Sequence, residues 1–176
     1  QETELLVDLV LEHIKQISPV TPKILAIGAG SGCVSVAIAA NAECLIDSID
    51  ISSEALKIAE ENSVLNNTSN KIKFIQKDFL NLADTFEGYD IVVSNPPYIS
   101  AEDISGLSEE VKNYEPLRAL TDNDDGLAFY KKIFELSLKP NSNAAIFLEL
   151  GDGKSEAVIN LLKGYGITNY SIHNDL

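Results

Sequence analysis

Apolar residues along this chain fall into two alternating patterns. Short continuous runs of Ile, Val and Leu read as buried strands, and longer stretches with apolar residues three or four apart read as helices. Glu2 to Ile17 carries the helical pattern, with Leu5, Leu6, Leu9, Val10, Ile14 and Ile17 on one stripe, and Ser18-Pro19-Val20-Thr21-Pro22 ends it. Lys23 to Ile27 predicts a first strand, Gly28-Ala29-Gly30-Ser31-Gly32 a turn, and Cys33 to Ala42 a helix apolar on all sides. Leu45 to Asp50 predicts a second strand, and Glu54 to Leu65 a helix capped by Ser52 or Ser53. After the turn-rich Asn66-Asn67-Thr68-Ser69-Asn70, Ile72 to Ile75 and Ile91 to Ser94 give strands three and four. Asn95 to Asp125 has little periodicity and reads as a functional loop with one helical turn around Ser108 to Asn113. Gly126 to Leu138 predicts a helix, Ala144 to Leu150 a fifth strand, Lys154 to Lys163 a helix, and Ile167 to His173 a sixth strand.

Strands alternating with helices imply a doubly wound α/β domain, its sheet mostly parallel and helices on both faces. The whole chain, 1–176, reads as one domain. Ligands of such sheets bind beyond the carboxyl ends of the strands, near the point where strand order reverses. The glycine turn, Asp50, Asp78 and Asn95 each follow a predicted strand, so they should converge on that edge.

Composition narrows the function classes. With 176 residues and 45% hydrophobic content the chain can bury a sizeable core. No stretch is apolar and long enough to span a bilayer, and the start does not resemble a signal peptide. Cys33 and Cys44 lack metal-ligand spacing, and His13 and His173 stand far apart, so no metal site is expected and a cytoplasmic location is the simplest account. A net charge of −14 with Arg118 as the one arginine argues against general nucleic-acid binding. A chain that begins at Gln1 and contains no Met reads as a piece of a longer product.

Asn95-Pro96-Pro97-Tyr98 is the most informative motif. Consecutive prolines stiffen a loop and hold its carbonyls out of regular structure. A stiff Pro96 carbonyl beside the Asn95 side-chain oxygen offers two acceptors to the hydrogens of a planar NH2 group. A strand-ending turn is the plainer reading. Gly28 to Gly32 lets a ligand approach the backbone closely and ends at a helix N-terminus that favours an anionic group. Its spacing is neither that of a dinucleotide fold nor that of a P-loop. Asp50 can accept both hydroxyls of a ribose, unless it serves only the helix start at Ser52-Ser53-Glu54. Asp78 can accept an adenine amine with Phe79 on the ring face, or be a loop acid beside a core aromatic.

Glycine turn, strand-end Asp, Asp-aromatic pair and Asn-Pro-Pro-Tyr, in this order, resemble a class I S-adenosylmethionine-dependent methyltransferase. More narrowly the chain resembles the HemK family, the peptide chain release factor glutamine methyltransferases. Glu2-Thr3-Glu4-Leu5-Leu6, Tyr114-Glu115-Pro116 with Ala119-Leu120, Asp125-Gly126-Leu127 with Phe129-Tyr130, and Leu148-Glu149-Leu150-Gly151 match that family too. The resemblance implies that Gly28, Ala29, Gly30, Ser31 and Gly32 wrap the methionine end of S-adenosyl-L-methionine. Asp50 would then hold its ribose, Asp78 and Phe79 its adenine, and Asn95 would lie between cofactor and substrate, with Pro96 sharing the catalytic grip and Pro97 and Tyr98 lining the substrate. It implies the glutamine of a release factor's Gly-Gly-Gln loop as target and S-adenosyl-L-homocysteine as product. The chain departs from the family at Ala26, where an acid is usual, and in lacking the amino-terminal helical domain and one last strand, so truncation at both ends is expected. A methyltransferase of exocyclic amines in DNA or RNA and an inactive cofactor-binding partner subunit stay open as alternatives.

Overall fold

The computed structural model describes residues 2–17, 21–83, 85–99, 121, 124–151 and 153–174. Their elements are α1 (Glu2–Ile17), β1 (Lys23–Ile27), α2 (Cys33–Asn41), β2 (Leu45–Asp50), α3 (Ser53–Leu65), β3 (Ile72–Gln76), β4 (Ile91–Ser94), α4 (Ala128–Ser137), β5 (Ala145–Leu148) and α5 (Ser155–Gly164). The strands form one sheet in the order β3-β2-β1-β4-β5, and every pairing is parallel. Strand order reverses between β1 and β4, where Ile24 pairs with both Ile46 and Ile91.

Both faces of the sheet are covered, which is why β1 and β4 read as continuous apolar runs rather than alternating ones. On one face Ile24, Ala26, Ile46, Ile91 and Val93 meet Leu6, Val10 and Ile14 of α1 and Val36, Ile38 and Ala39 of α2. On the other, Leu25, Ile27, Ile49 and Val92 meet Tyr130, Ile133, Phe134 and Leu136 of α4 and Val158 of α5. The stripe Leu6–Val10–Ile14 has the four-residue spacing of one helix face. It lays α1 against the sheet with its first turn toward the carboxyl ends of β4 and β5. Lys71 closes α2 from the next layer: its Nζ donates to the Ala39 and Ala42 carbonyls at 3.1 and 3.0 Å and pairs with Glu43 at 2.9 Å.

Two expectations change. The sixth strand does not form: residues 167–174 are described without strand structure, and among the described residues they have no ladder partner. Ile167 to His173 read as a strand, but a strand exists only where a neighbour accepts its hydrogen bonds. Only Ile167 lodges against the second core, while Tyr170 and Ile172 are exposed. The fifth strand is also shorter than expected, although the Glu149 N–H still reaches the Ser94 carbonyl at 3.0 Å. The helical turn at Ser108 to Asn113, Tyr114-Glu115-Pro116, Arg118, Ala119-Leu120 and Asp122-Asn123 lie outside the described residues. An isolated parallel bridge between Ile99 and Thr121 brings the two ends of that stretch together.

Candidate active site

The glycine turn leaves β1 in a conformation that side chains resist. Gly28, Gly30 and Gly32 all have positive φ, at 77°, 53° and 81°. The N–H groups of Gly28 and Ala29 both donate to the Ile49 carbonyl at 2.9 Å, and the Gly32 N–H donates to Ala29 at 2.7 Å. Gly32 is required for a second reason, because a Cβ there would come within 2.9 Å of the Ala59 Cβ on α3. Asn62 of α3 also donates to the Ser31 carbonyl at 2.9 Å. α3 therefore holds the turn from behind, while Gly28, Gly30 and Ser31 stay exposed.

Asp50, at the end of β2, is tied to this turn. Its Oδ2 accepts from the Gly30 N–H and its Oδ1 from the Ser52 N–H, both at 2.9 Å. Each carboxylate oxygen keeps a further lone pair for a ligand hydroxyl. Ser52 caps α3 by accepting from the Ala55 N–H at 3.1 Å, so Asp50 braces the helix start through Ser52 as well as the glycine turn. Asp78, beyond β3, accepts from the Leu80 N–H at 3.1 Å and from Asn81 at 2.7 Å. Phe79 is buried and stacks on Phe129 with centroids 5.8 Å apart, anchoring the Asp78 loop in the second core.

Asn95-Pro96-Pro97-Tyr98 follows β4 directly beside the glycine turn. A Cβ on Gly28 would sit 3.8 Å from the Asn95 carbonyl, and the Ser94 hydroxyl donates to the Ile27 carbonyl at 2.9 Å. Pro96 and Pro97 are buried; Asn95 and Tyr98 are half-buried. The motif is clamped on its far side by two glycines. A Cβ on Gly151 would overlap the Tyr98 ring, and one on Gly126, whose φ is 76°, would overlap the Tyr98 carbonyl. Asn95 Nδ2 donates to Thr3 Oγ1 at 3.4 Å, and Thr3 Oγ1 donates to Glu149 Oε2 at 2.9 Å. The Tyr130 hydroxyl supports Glu149 by donating to its carbonyl at 2.9 Å, and burial pushes that hydroxyl well above its usual pKa.

These placements bring the expected residues to one edge: glycine turn, Asp50, Asp78 and Asn95 all lie at the carboxyl ends of β1, β2, β3 and β4. They also explain the motif blocks far from Asn95. Thr3, Gly126, Glu149 and Gly151 each touch, directly or through one partner, the loop that carries it. No local pattern reveals this, because the contacts join residues well separated in sequence, Thr3 with Glu149 most of all. Ala26 is buried in the first core under α1 and α2. Among the described residues no group of His, Cys, Asp and Glu is placed to hold a metal ion, and no helix is long and apolar enough to cross a membrane.

This set of groups suits an adenosine with an amino-acid tail. It combines a carboxylate with spare lone pairs, a second acid one strand over, and an open glycine cradle; a Cβ on Gly30 would meet nothing within 4 Å.

Comparison with known proteins fits this geometry. The chain is 44% identical over 170 residues to a release factor glutamine methyltransferase of Thermodesulfovibrio yellowstonii, covering 94% of this chain and 60% of that protein. A release factor glutamine methyltransferase of Fusobacterium nucleatum is 39% identical over 178 residues, with 99% and 49% covered. The chain thus spans about half to three fifths of the length of these relatives. Among solved structures, the ribosomal protein L11 methylase of Lactobacillus delbrueckii subsp. bulgaricus shares the fold, with a TM-score of 0.60 at 20% identity, covering 93% of this chain and 67% of that one. Residues 3–110 match the methyltransferase small domain, more than half of the sequence, and the chain belongs to that family.

Proposed function

We propose that this chain transfers a methyl group from S-adenosyl-L-methionine to the side-chain amide nitrogen of a protein glutamine, that of the Gly-Gly-Gln loop in a peptide chain release factor. The observation that carries this reading is the Asn95-Pro96-Pro97-Tyr98 loop lying against the glycine turn of β1, with the Asn95 carbonyl 3.8 Å from where a Gly28 Cβ would be. The names of the relatives supply the substrate class. A release factor substrate also places the protein in the cytoplasm.

Gly28 to Gly32 would hold the methionine end of the cofactor, Asp50 the ribose, and Asp78 the adenine amine on a loop that Phe79 anchors. The bound cofactor supplies a sulfonium methyl with a good leaving group. An amide nitrogen is a weak nucleophile because its lone pair is shared with the carbonyl. Asn95 Oδ1 and the Pro96 carbonyl accept its two hydrogens, which aims the nitrogen and keeps electron density on it as the new N–C bond forms. Orientation of this kind can supply roughly 7 kcal/mol of the barrier. Pro97 keeps the loop stiff, and Tyr98, seated on Gly151, gives the flat amide a surface. The amide proton leaves to solvent after transfer, so no general base is required.

The test is incubation with methyl-labelled cofactor and, in separate arms, a release factor, the same protein with its loop glutamine replaced by alanine, and duplex DNA. Label in the first arm alone is expected. Label in DNA, or in both proteins equally, overturns the proposal.

A further inference from the structure

We infer that Thr3 and Glu149 are positioning residues that set which end of the Asn95 amide faces the reacting nitrogen. The inference rests on the proposed glutamine reaction, since it explains how Asn95 is held for it.

An Asn amide has an accepting end and a donating end of nearly equal size, and only the accepting end can grip an NH2 group. Something must therefore choose between the two orientations. The choice follows from the hydrogen bonds that begin at Glu149. An ionised carboxylate accepts only. Thr3 Oγ1, 2.9 Å from Glu149 Oε2, spends its single proton on that bond. What Thr3 then shows to Asn95 is a lone pair, and the Asn95 atom 3.4 Å away is the donor Nδ2. Oδ1, on the opposite side of the same planar group, is left for substrate. A 3.4 Å bond is long, as such contacts often are before substrate arrives.

Three separate parts of the fold hold this relay. Thr3 is in the first turn of α1, fixed by Leu6, Val10 and Ile14 beneath it. Glu149 follows β5, where its N–H bonds the Ser94 carbonyl at 3.0 Å and its carbonyl takes the Tyr130 hydroxyl at 2.9 Å. Asn95 follows Ser94 directly. The bond from Glu149 to Ser94 thus sets the spacing that Thr3 bridges.

Replacing Thr3 by Val removes the hydroxyl with little change of shape, and Thr3→Ser restores it. The Asn95 side-chain NH2 resonance, assigned by its loss in Asn95→Ala, reports the relay without any need for turnover. It should move in Thr3→Val and in Glu149→Gln, where the hydroxyl is no longer obliged to donate away from Asn95, and return in Thr3→Ser. In the methylation assay Thr3→Val should lower kcat by about a hundredfold with KM changed less than about threefold, and Thr3→Ser should recover most of it. An NH2 resonance unmoved by Thr3→Val, or equal kcat in Thr3→Val and the parent, overturns the inference. If the parent chain methylates no glutamine, the proposed reaction fails, while the NH2 resonance still decides the relay.

Discussion

The ring of Tyr98 occupies the space where any side chain on Gly151 would have to go. This contact fastens the loop after β4 to the segment after β5, and with it the position of Asn95. Gly151→Ala should therefore act on the loop more than on the fold. Overfilling a packed site costs about 1–3 kcal/mol. The expected result is a lowered Tm and at least about tenfold slower methyl transfer, with S-adenosylhomocysteine affinity little changed. Gly164→Ala is the control. It lies at the end of α5 with nothing within 4 Å of its Cβ and no positive φ, so it should leave stability equal or raise it by about 0.5 kcal/mol.

The Asp50 carboxylate receives the Gly30 and Ser52 N–H groups, and under the proposed function it would hold the cofactor's ribose as well. Asp50→Ala should lose the ribose contacts and loosen the turn that cradles the cofactor's tail. Hydrogen bonds to a charged group contribute about 2 kcal/mol, so the Kd for S-adenosylhomocysteine should rise by roughly thirtyfold or more. Asp50→Asn, which keeps one acceptor, should fall between. Calorimetric titration reads all three, and an unchanged Kd in Asp50→Ala would remove Asp50 from the binding site.

Two buried groups make stability sensitive to alkaline pH. Burial pushes the Cys44 thiol from 9.0 up to about 11, with nearby Lys71 opposing and Glu43 adding to the shift. Burial likewise raises Tyr130 above its ordinary 10.0. Both groups are neutral when protonated, and the unfolded chain releases these protons first. The native state then binds more protons, so stability is full below about pH 9 and falls as pH climbs. The Cys44 contribution is lost as pH passes through about 11. Urea midpoints should decline across that window, and Cys44→Ala should flatten the early part of the decline. A midpoint that climbs with pH there contradicts this. The same burial should leave Cys44 unreactive to an alkylating reagent that modifies the exposed Cys33.

The five strands and the helices were legible because each is buried on a simple rule. Ile24 to Ile27 and Ile91 to Val93 are apolar throughout since both sheet faces are covered, and Leu6, Val10 and Ile14 repeat every helical turn. The placement of the candidate site was legible where one strand end carries one motif, as with Asp50 at the end of β2 and Asn95 after β4. The stretch Ile167 to His173 misled because its residue types carry no information about a hydrogen-bonding neighbour. Likewise the pairing of Thr3 with Glu149, or of Tyr98 with Gly151, is a product of tertiary folding. Only the matching of their motif blocks to a family hinted that Thr3, Glu149 and Gly151 matter. Phe79 could equally face a ligand or the core from its sequence, and its stacking on Phe129 is what the fold adds.

In the proposed reaction Asn95 orients the amide for attack and contributes little to holding the cofactor. This role is tested most directly by measuring, on Asn95→Ala, both the single-turnover rate of methyl transfer to release factor and the Kd for S-adenosylhomocysteine. The expected result is a rate lowered by at least about a thousandfold with Kd within about threefold of the parent. Methyl transfer at the parent rate, or a loss of rate that matches an equal loss of cofactor affinity, would contradict it.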